Sequence, residues 1–516
     1  MSPKGNVLFI TVDQWRGDSL SALGHPLVET PTIDALAARG VLFANHWAST
    51  APCGPSRASL YTGMYLQNHR SALNGTPLDA RFSNVALEAR KVGYDPVLFG
   101  YTDTSVDPRT VDSDDPRLHS YEGVLPGFRP IVNDPADAGS HEWGKWLAAR
   151  GKDVPSDPQE LYEPDLSYPG ASEHASAWAP AHISQDETET VFMVDKLIEY
   201  FQQHGSEPWF AHASFIRPHP PYRNPPGYHD LYSADDVPSF VAKPTRDQER
   251  AMHPLNDVML MLPPLFAPDD ERERRQTRAT YHAMQREVDD QLGRLLEYLG
   301  QSGLLGDTLV VLTSDHGEMG GDHWCFQKAG YWDQSYSIPL VVADPRTAAD
   351  ATRGAIIRDF TEAVDVMPTI LSWIGAEIPN QADGYSLLSW IHTGQRPPNW
   401  RSQAHYEWDF RHPVMKLAES YLGLPSAHCL LNVVRSDDYK FVQFAADSSV
   451  LPPLLFDLRA DPGQLEDVSG LPEYASVLFE CAEDLLRWRM RNDERTLVNQ
   501  FLDPQRGLVV SQDTWR

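Results

Sequence analysis

The sequence predicts an α/β fold: a large, mixed and mostly parallel sheet flanked by helices, followed by a smaller antiparallel sheet with a helix. Three observations carry this reading. Asn6–Val12 (NVLFITV), Thr308–Thr313 and Ile338–Ala343 are short, unbroken apolar runs rich in β-branched residues, the pattern of strands buried on both faces. Helical patterns separate them. The longest runs from Glu271 to Leu299, with Met284, Val288, Leu292, Leu295 and Leu299 at three- and four-residue steps. Beyond residue 400 the pattern changes to short strands joined by tight turns.

Taken in order, Asn6–Val12 is the first strand. Pro31 to Gly40 (PTIDALAARG) is a short helix opened by proline and closed by glycine. Pro96 to Gly100 is a further strand. Residues 110–185, rich in Asp, Pro, Gly and Ser, read as long surface loops near the site and not as a separate domain. Val191 to Gln202 is helical, Trp209 to Ile216 is a strand, and residues 218–270 are Pro-rich and irregular. Phe360 to Ile374 is a helix bent or opened at Pro368. Leu430–Val434, a turn at Arg435–Asp438 and Tyr439–Phe444 make an antiparallel hairpin; Leu454–Leu458 is its third strand and Tyr474–Met490 an amphipathic helix. The expected organisation is a catalytic domain over 1–400 and an α+β subdomain with a tail over 401–516. The tail, Arg491 to Arg516, carries Phe501, Leu502, Leu508, Val509 and Val510, and reads either as an arm toward a partner subunit or as an ordinary terminus.

The chain has 516 residues, with 43 Lys+Arg against 72 Asp+Glu and a net charge of −29. Without a cationic surplus it is not a general nucleic-acid binder. An anionic substrate would be repelled at long range, so its attraction must be local, from a metal or a few cations. Four cysteines exclude a disulfide scaffold. No run approaches the roughly 18 apolar residues of a membrane span, and the first apolar run lacks a signal-peptide cleavage site. A cytoplasmic protein with reduced thiols and no membrane partner is expected.

Asp13 and Gln14 follow the first strand, and Asp315 and His316 follow Thr308–Thr313. Ligands of open parallel sheets bind beyond the carboxyl ends of the strands. Two such ends would bring these four residues to one point, where oxygens and an imidazole suit a divalent cation. The same residue types also occur after strands as turn residues and helix caps. Cys53 opens Cys53-Gly54-Pro55-Ser56-Arg57-Ala58-Ser59-Leu60-Tyr61-Thr62-Gly63. Proline at +2 and arginine at +4 arise by chance roughly once in 400 cysteines, at about 5% per residue type.

With its continuation, this stretch resembles the sulfatase signature C-x-P-S-R-x-x-L-x-T-G, whose cysteine is oxidised to formylglycine. The whole chain resembles the formylglycine-dependent sulfatases of the alkaline phosphatase superfamily. Similar segments are VDQWRGD, ETPTIDALAARGVLFANH, PCGPSRASLYTG, NHRSALNGTPLD, GYDPVLFGYT, RPHPPY, TSDHGE, GDH, VDVMPTIL, DGYSLL and LFDLRADP. The Asp-Gln pair, PCGP, NHR and RPHPP place the resemblance nearest the phosphonate monoester hydrolase branch. An alkaline-phosphatase-like fold is therefore expected.

The resemblance implies a metal-dependent hydrolase of sulfate and phosphonate monoesters, and more slowly of phosphodiesters. A hydrated aldehyde offers two geminal hydroxyls: one attacks sulfur or phosphorus, and deprotonation of the other expels the product by carbon–oxygen cleavage. That route does not depend on which central atom was attacked. The implied metal ligands are Asp13, Gln14, Asp315, His316 and residue 53. Arg57 would support the ionised nucleophile, and Asn74 would donate to a non-bridging oxygen. Lys328 would contact nucleophile and substrate, Tyr101 the transferred group, and His219 the leaving group. Imidazole favours manganese as the ion, with calcium second. The resemblance also implies a formylglycine-generating enzyme as maturation partner and a homodimer or homotetramer. A dedicated arylsulfatase and a non-catalytic anion-binding relative are the rival readings.

Two departures from the family pattern stand out. Asp103 occupies the place of an expected active-site threonine, where an acid is unfavourable unless it is protonated or pairs with Lys328, His219 or Arg109. Trp324-Cys325-Phe326-Gln327 replaces small and aliphatic residues before Lys328 and would reshape the leaving-group pocket. His323 and Cys325 lack the companion ligands of a zinc site.

Overall fold

Alternation along the central strand divides the molecule. On Asn6–Val12, Val7 and Phe9 join one apolar cluster, while Leu8, Ile10 and Val12 join another. On Thr308–Thr313, Leu309 and Val311 take the first face and Val310 and Leu312 the second. Successive side chains of a strand point to opposite faces, so an all-apolar run requires cover on both. The long helix Glu271–Gln301 covers the second face through Val288, Leu292, Leu295 and Leu299. The first face is covered by Leu60, Tyr61, Met367 and Ile370. This is a computed structural model; it describes residues 5–133, 141–263, 265–411 and 416–510.

Among the described residues, an eight-stranded sheet runs in the order Ala355–Ile357, Val41–Phe43, Leu340–Ala343, Thr308–Thr313, Asn6–Val12, Phe210–Phe215, Val97–Phe99, Arg129–Val132. Its pairings are parallel except the two made by Leu340–Ala343, which runs against both neighbours. The mixed, mostly parallel sheet expected from the sequence is observed. A second sheet is ordered Leu454–Asp457, Tyr439–Phe444, Leu430–Ser436, Gln403–Asp409, Thr50–Ala51. It is antiparallel apart from the Thr50–Ala51 pairing, and the helix Ala475–Arg491 packs on it. One apolar cluster runs through both sheets, from Phe9 and Val311 to Tyr406, Val433 and Phe456.

Three local readings are corrected. Residues 110–185 are not all loop: Arg129–Val132 forms the edge strand of the large sheet and His141–Ala149 a helix. Pro130, which has no N–H to donate, is tolerated at an edge. The helix expected from Phe360 starts only at Val366, after a strand Thr361–Glu362 and a tight turn of helix at Ala363–Asp365. Pro368 thus lies in the first turn, where its missing N–H has no carbonyl to lose, and it neither bends nor opens the helix. Residues 218–270 contain two short helices, Arg246–Met252 and Pro254–Met259. Near the C-terminus, Gln500–Asp503 and Gly507–Val510 pair as a ribbon with Phe501, Leu502, Leu508 and Val510 exposed; residues 511–516 of the expected tail lie outside the described residues. No helix among the described residues is long and apolar enough to cross a membrane.

Candidate active site

Neighbouring parallel strands end on the same side of a sheet, which concentrates polar side chains there. Asp13 follows Asn6–Val12 directly, Asp315 and His316 follow Thr308–Thr313, Ser214 is the last residue but one of Phe210–Phe215, and Tyr101 lies just past Val97–Phe99. Gly100 makes the last approach possible: its φ is +99°, and a Cβ there would lie 2.2 Å from the Ser214 carbonyl oxygen.

Cys53 begins a ten-residue helix, Cys53–Thr62, every residue of which is buried. The preceding Thr50–Ala51 pairs with Gln403–Asp409, so the second sheet holds the approach to Cys53. Arg57 is one turn further on and faces the same way. Gly54 lies tight against its surroundings, since a Cβ would meet Asn74 Oδ1 at 3.1 Å and the Asp103 carbonyl oxygen at 3.2 Å. Gly54 N–H donates to Asn74 Oδ1 at 2.9 Å, which leaves the Nδ2 half of that amide as the donor.

Asp13, Cys53, Asp315 and His316 each bring a ligand atom within 4.8 Å of the others, and all four are buried. Cys53 Sγ is 3.1 Å from His316 Nε2. His316 Nδ1–H donates to the Gly317 carbonyl at 3.1 Å, so the lone pair of Nε2 faces the cluster. Burial, and then Lys328, lowers the His316 pKa, which keeps the imidazole in its neutral, ligating form. Asp13 Oδ1 is buried without a hydrogen-bond partner. Burial alone would raise the Asp13 pKa, but the positive charges around it, including Arg57, hold the carboxyl well below its ordinary range. An ionised, unpartnered carboxylate oxygen among buried donors of this kind fits a divalent cation.

Arg57 is wholly buried. Its Nε lies 2.9 Å from Asp315 Oδ2 and its Nη2 3.1 Å from Asp13 Oδ2. Nη1 donates to Ser214 Oγ at 2.7 Å, and the guanidinium lies 4.3 Å from the centre of the Tyr101 ring. Where the family resemblance turns Tyr101 toward the transferred group, its hydroxyl instead donates to Asp13 Oδ2 at 2.5 Å and accepts from Arg57 Nη2 at 3.1 Å.

Gln14 has φ +67°, uncommon for a residue with a side chain. Its N–H donates to Asp315 Oδ1 at 3.1 Å and its carbonyl accepts from Tyr281 Oη at 2.8 Å. Lys328 Nζ donates to Gln14 Oε1 at 2.7 Å, while Gln14 Nε2 donates to Glu318. Burial would lower the Lys328 pKa, yet the negative charges of the site raise it, so its ammonium is retained. His219 Nδ1–H donates to the Pro220 carbonyl at 2.8 Å. Burial, then Lys328, pushes its pKa down to about 4. Burial, then Asp13, pushes the Cys53 thiol far up, so an unmodified Cys53 stays protonated and is a poor nucleophile.

Several supports were not singled out in the sequence. Glu318 accepts from Tyr222 Oη at 2.8 Å, Gln327 N–H at 2.7 Å and Gly320 N–H at 2.6 Å besides Gln14. Ser56 Oγ donates to the Asp315 carbonyl, and Ser314 Oγ donates to that of His316 at 2.8 Å. Glu318 and Ser314 stand in TSDHGE, Ser56 in the cysteine motif and Tyr222 in RPHPPY, so motif membership was their signal. Tyr281, on the long helix, had none. His323 bonds Glu249 at 2.9 Å and stacks on Trp332, with ring centres 3.6 Å apart. In the segment before Lys328, Trp324 Nε1 donates to the Lys243 carbonyl at 2.9 Å, and Phe326 packs against Tyr222.

A family model described as Sulfatase matches residues 5–376, and one described as N-sulphoglucosamine sulphohydrolase, C-terminal, matches residues 321–491. The chain is 39% identical over 523 residues to the multifunctional alkaline phosphatase superfamily protein PehA of Trinickia caryophylli, covering 98% of this chain and 99% of that one. It is 27% identical to an arylsulfatase of Clostridium perfringens, over 91% of each chain. Among solved structures, the phosphonate monoester hydrolase of Agrobacterium radiobacter superposes with a TM-score of 0.92 at 42% identity, covering 99% of this chain and 100% of that one.

Proposed function

The chain belongs to the sulfatase family, and from that membership we propose that it hydrolyses sulfate monoesters and phosphonate monoesters, and phosphodiesters more slowly, through a formylglycine formed from Cys53. The observation that carries the reading is the setting of Cys53: a protonated, buried thiol within 4.8 Å of three ligand atoms and one helical turn from a wholly buried arginine. A hydrated aldehyde at this position supplies one hydroxyl for attack and a second whose deprotonation releases the product. Asp13, Gln14, Asp315, His316 and residue 53 would hold a divalent cation, which supplies positive charge for the ester's anionic oxygens in a chain of net charge −29. The imidazole of His316 supports manganese before calcium.

The remaining roles fall to this chain's own side chains. Arg57 fixes Asp13 and Asp315 and offsets their charge. Lys328 and the Nδ2 of Asn74 orient the anionic oxygens, and Tyr101 braces Asp13. His219, with its Nδ1–H committed to Pro220 and its pKa pushed down to about 4, carries a lone pair on Nε2 and must take up a proton there before it can serve the leaving oxygen. His219→Ala should lower kcat/KM for alkyl esters by about 100-fold or more, with a much smaller loss for nitrophenyl esters, which leave without a proton. Equal losses across a leaving-group series would exclude that role. Glu318 holds the Gln14 amide, so Glu318→Gln should weaken divalent-ion affinity by about 10- to 100-fold, read by calorimetric manganese titration.

Maturation requires a formylglycine-generating enzyme in the same compartment. The four free cysteines support the expected reducing, cytoplasmic location, and the exposed apolar side chains of the 500–510 ribbon support a homo-oligomer. The test of function is a panel of aryl sulfates and phenylphosphonate esters, turned over by purified manganese-loaded protein. Comparable kcat/KM for both classes is expected. Sulfate turnover with residual phosphonate activity would make the chain a dedicated arylsulfatase, and anion binding without turnover would exclude an enzyme.

A further inference from the structure

Asp103 lies two residues past Tyr101, with a φ of +49° that places it in the left-handed region. It is 4% exposed, and its Oδ1 is buried with no hydrogen-bond partner. Its carbonyl oxygen and Asn74 Oδ1 both close on Gly54, the residue after Cys53, so Asp103 and Asn74 share one wall beside the nucleophile position.

None of the cations expected for it is bound to it. Lys328 donates to Gln14, and the His219 Nδ1–H to Pro220. Arg109 pairs with Asp79 at 2.8 Å and Asp107 at 2.5 Å. Arg57 is the positive charge acting on the group, but its donors are taken by Asp13, Asp315, Ser214 and Tyr101. The other charged neighbours, Glu122, Asp13 and Asp315, are acids. Burial, opposed by Arg57 and reinforced by those acids, raises the Asp103 pKa well above the carboxylate range. A buried carboxyl oxygen without a donor is costly when ionised, but a neutral carboxylic acid brings its own O–H.

We propose that Asp103 is a substrate-positioning residue, a neutral carboxylic acid whose O–H donates a hydrogen bond to an anionic oxygen of the group being transferred. This rests on ester hydrolysis at residue 53. The acid would do there what a threonine hydroxyl does, and its second oxygen would exclude a further acceptor from that side of the pocket.

The test is calorimetric titration of inorganic sulfate into manganese-loaded wild type, Asp103→Asn, Asp103→Leu and Asp103→Ala, with melting temperature and metal content checked for each. Asparagine keeps an N–H in the same place, so its Kd for sulfate should stay within about threefold of wild type. Leucine and alanine lack a donor and should weaken sulfate by about 10- to 100-fold, the scale of a hydrogen bond to a charged group. Tighter sulfate binding in Asp103→Asn would mean that the acid is ionised and repels the anion, which overturns the proposal. Unchanged Kd in all the variants would make Asp103 a bystander and also overturn it. Because Kd is read without turnover, a wild type that binds sulfate yet hydrolyses no ester would count against the functional reading and not against this one.

Discussion

Replacing Cys53 with alanine should abolish hydrolysis of sulfate and phosphonate esters alike, with kcat lowered by about 10⁴-fold or more. The expectation follows from where the side chain stands. Cys53 is the first residue of a buried helix, 3.1 Å from His316 Nε2 and inside the donor cluster of Asp13 and Asp315. Its thiol is held protonated by burial and by Asp13, so a thiolate mechanism is not available to compete. Cys53 is the only cysteine of the donor cluster among the described residues. The fold should survive, because alanine is smaller and a good helix former at this position. Steady-state kinetics on both ester classes check this, with circular dichroism as control; retention of more than about a tenth of wild-type kcat would contradict the nucleophile.

The second large effect is on stability. Arg57 is wholly buried and bridges two buried carboxylates. Removing one member of a buried charge network leaves the others uncompensated, which typically costs about 3–5 kcal/mol. Arg57→Ala should therefore unfold at markedly lower denaturant concentration when metal-free. Part of the loss should return with manganese, since the ion supplies the positive charge that Asp13 and Asp315 have lost, and ligand binding to the folded state adds stability. Arg57→Lys should fall between, because an ammonium keeps the charge but not the fork that reaches Asp13, Asp315 and Ser214 together. Urea unfolding with and without manganese measures this. An Arg57→Ala midpoint equal to wild type would show that the two acids are not held by this residue.

Short-range pattern accounts for what was legible. Asn6–Val12 and Thr308–Thr313 are apolar on both faces, so their burial in a parallel sheet could be read directly, and with it the convergence of Asp13 and Asp315 at one edge. What was missed depends on partners distant in the chain. Thr50–Ala51 is only two residues long and is a strand because Gln403–Asp409 lies beside it. Arg129–Val132 is only four residues long, exposed at Arg129 and Pro130, and carries a proline, so it lacks the unbroken apolar run of the other strands. The support of Gln14 by Glu318 spans 304 positions, and no spacing rule reaches that far. The clustered residues Asp13, Cys53, Asp315 and His316 could be singled out because motifs carry them. Their bracing could not, because it consists of hydrogen bonds that only the folded chain creates. Tyr101 illustrates the difference: its motif marked it as a candidate, but only the folded chain brings its hydroxyl to Asp13 and Arg57.

In the working enzyme, residue 53 is proposed to be a formylglycine. This is tested most directly by the mass of the peptide containing residue 53, taken from a preparation of known specific activity. The mass of formylglycine or its hydrate is expected, in a fraction that rises in proportion to specific activity across preparations. Unmodified cysteine in fully active protein would contradict the proposal and would leave a metal-dependent esterase with a different nucleophile.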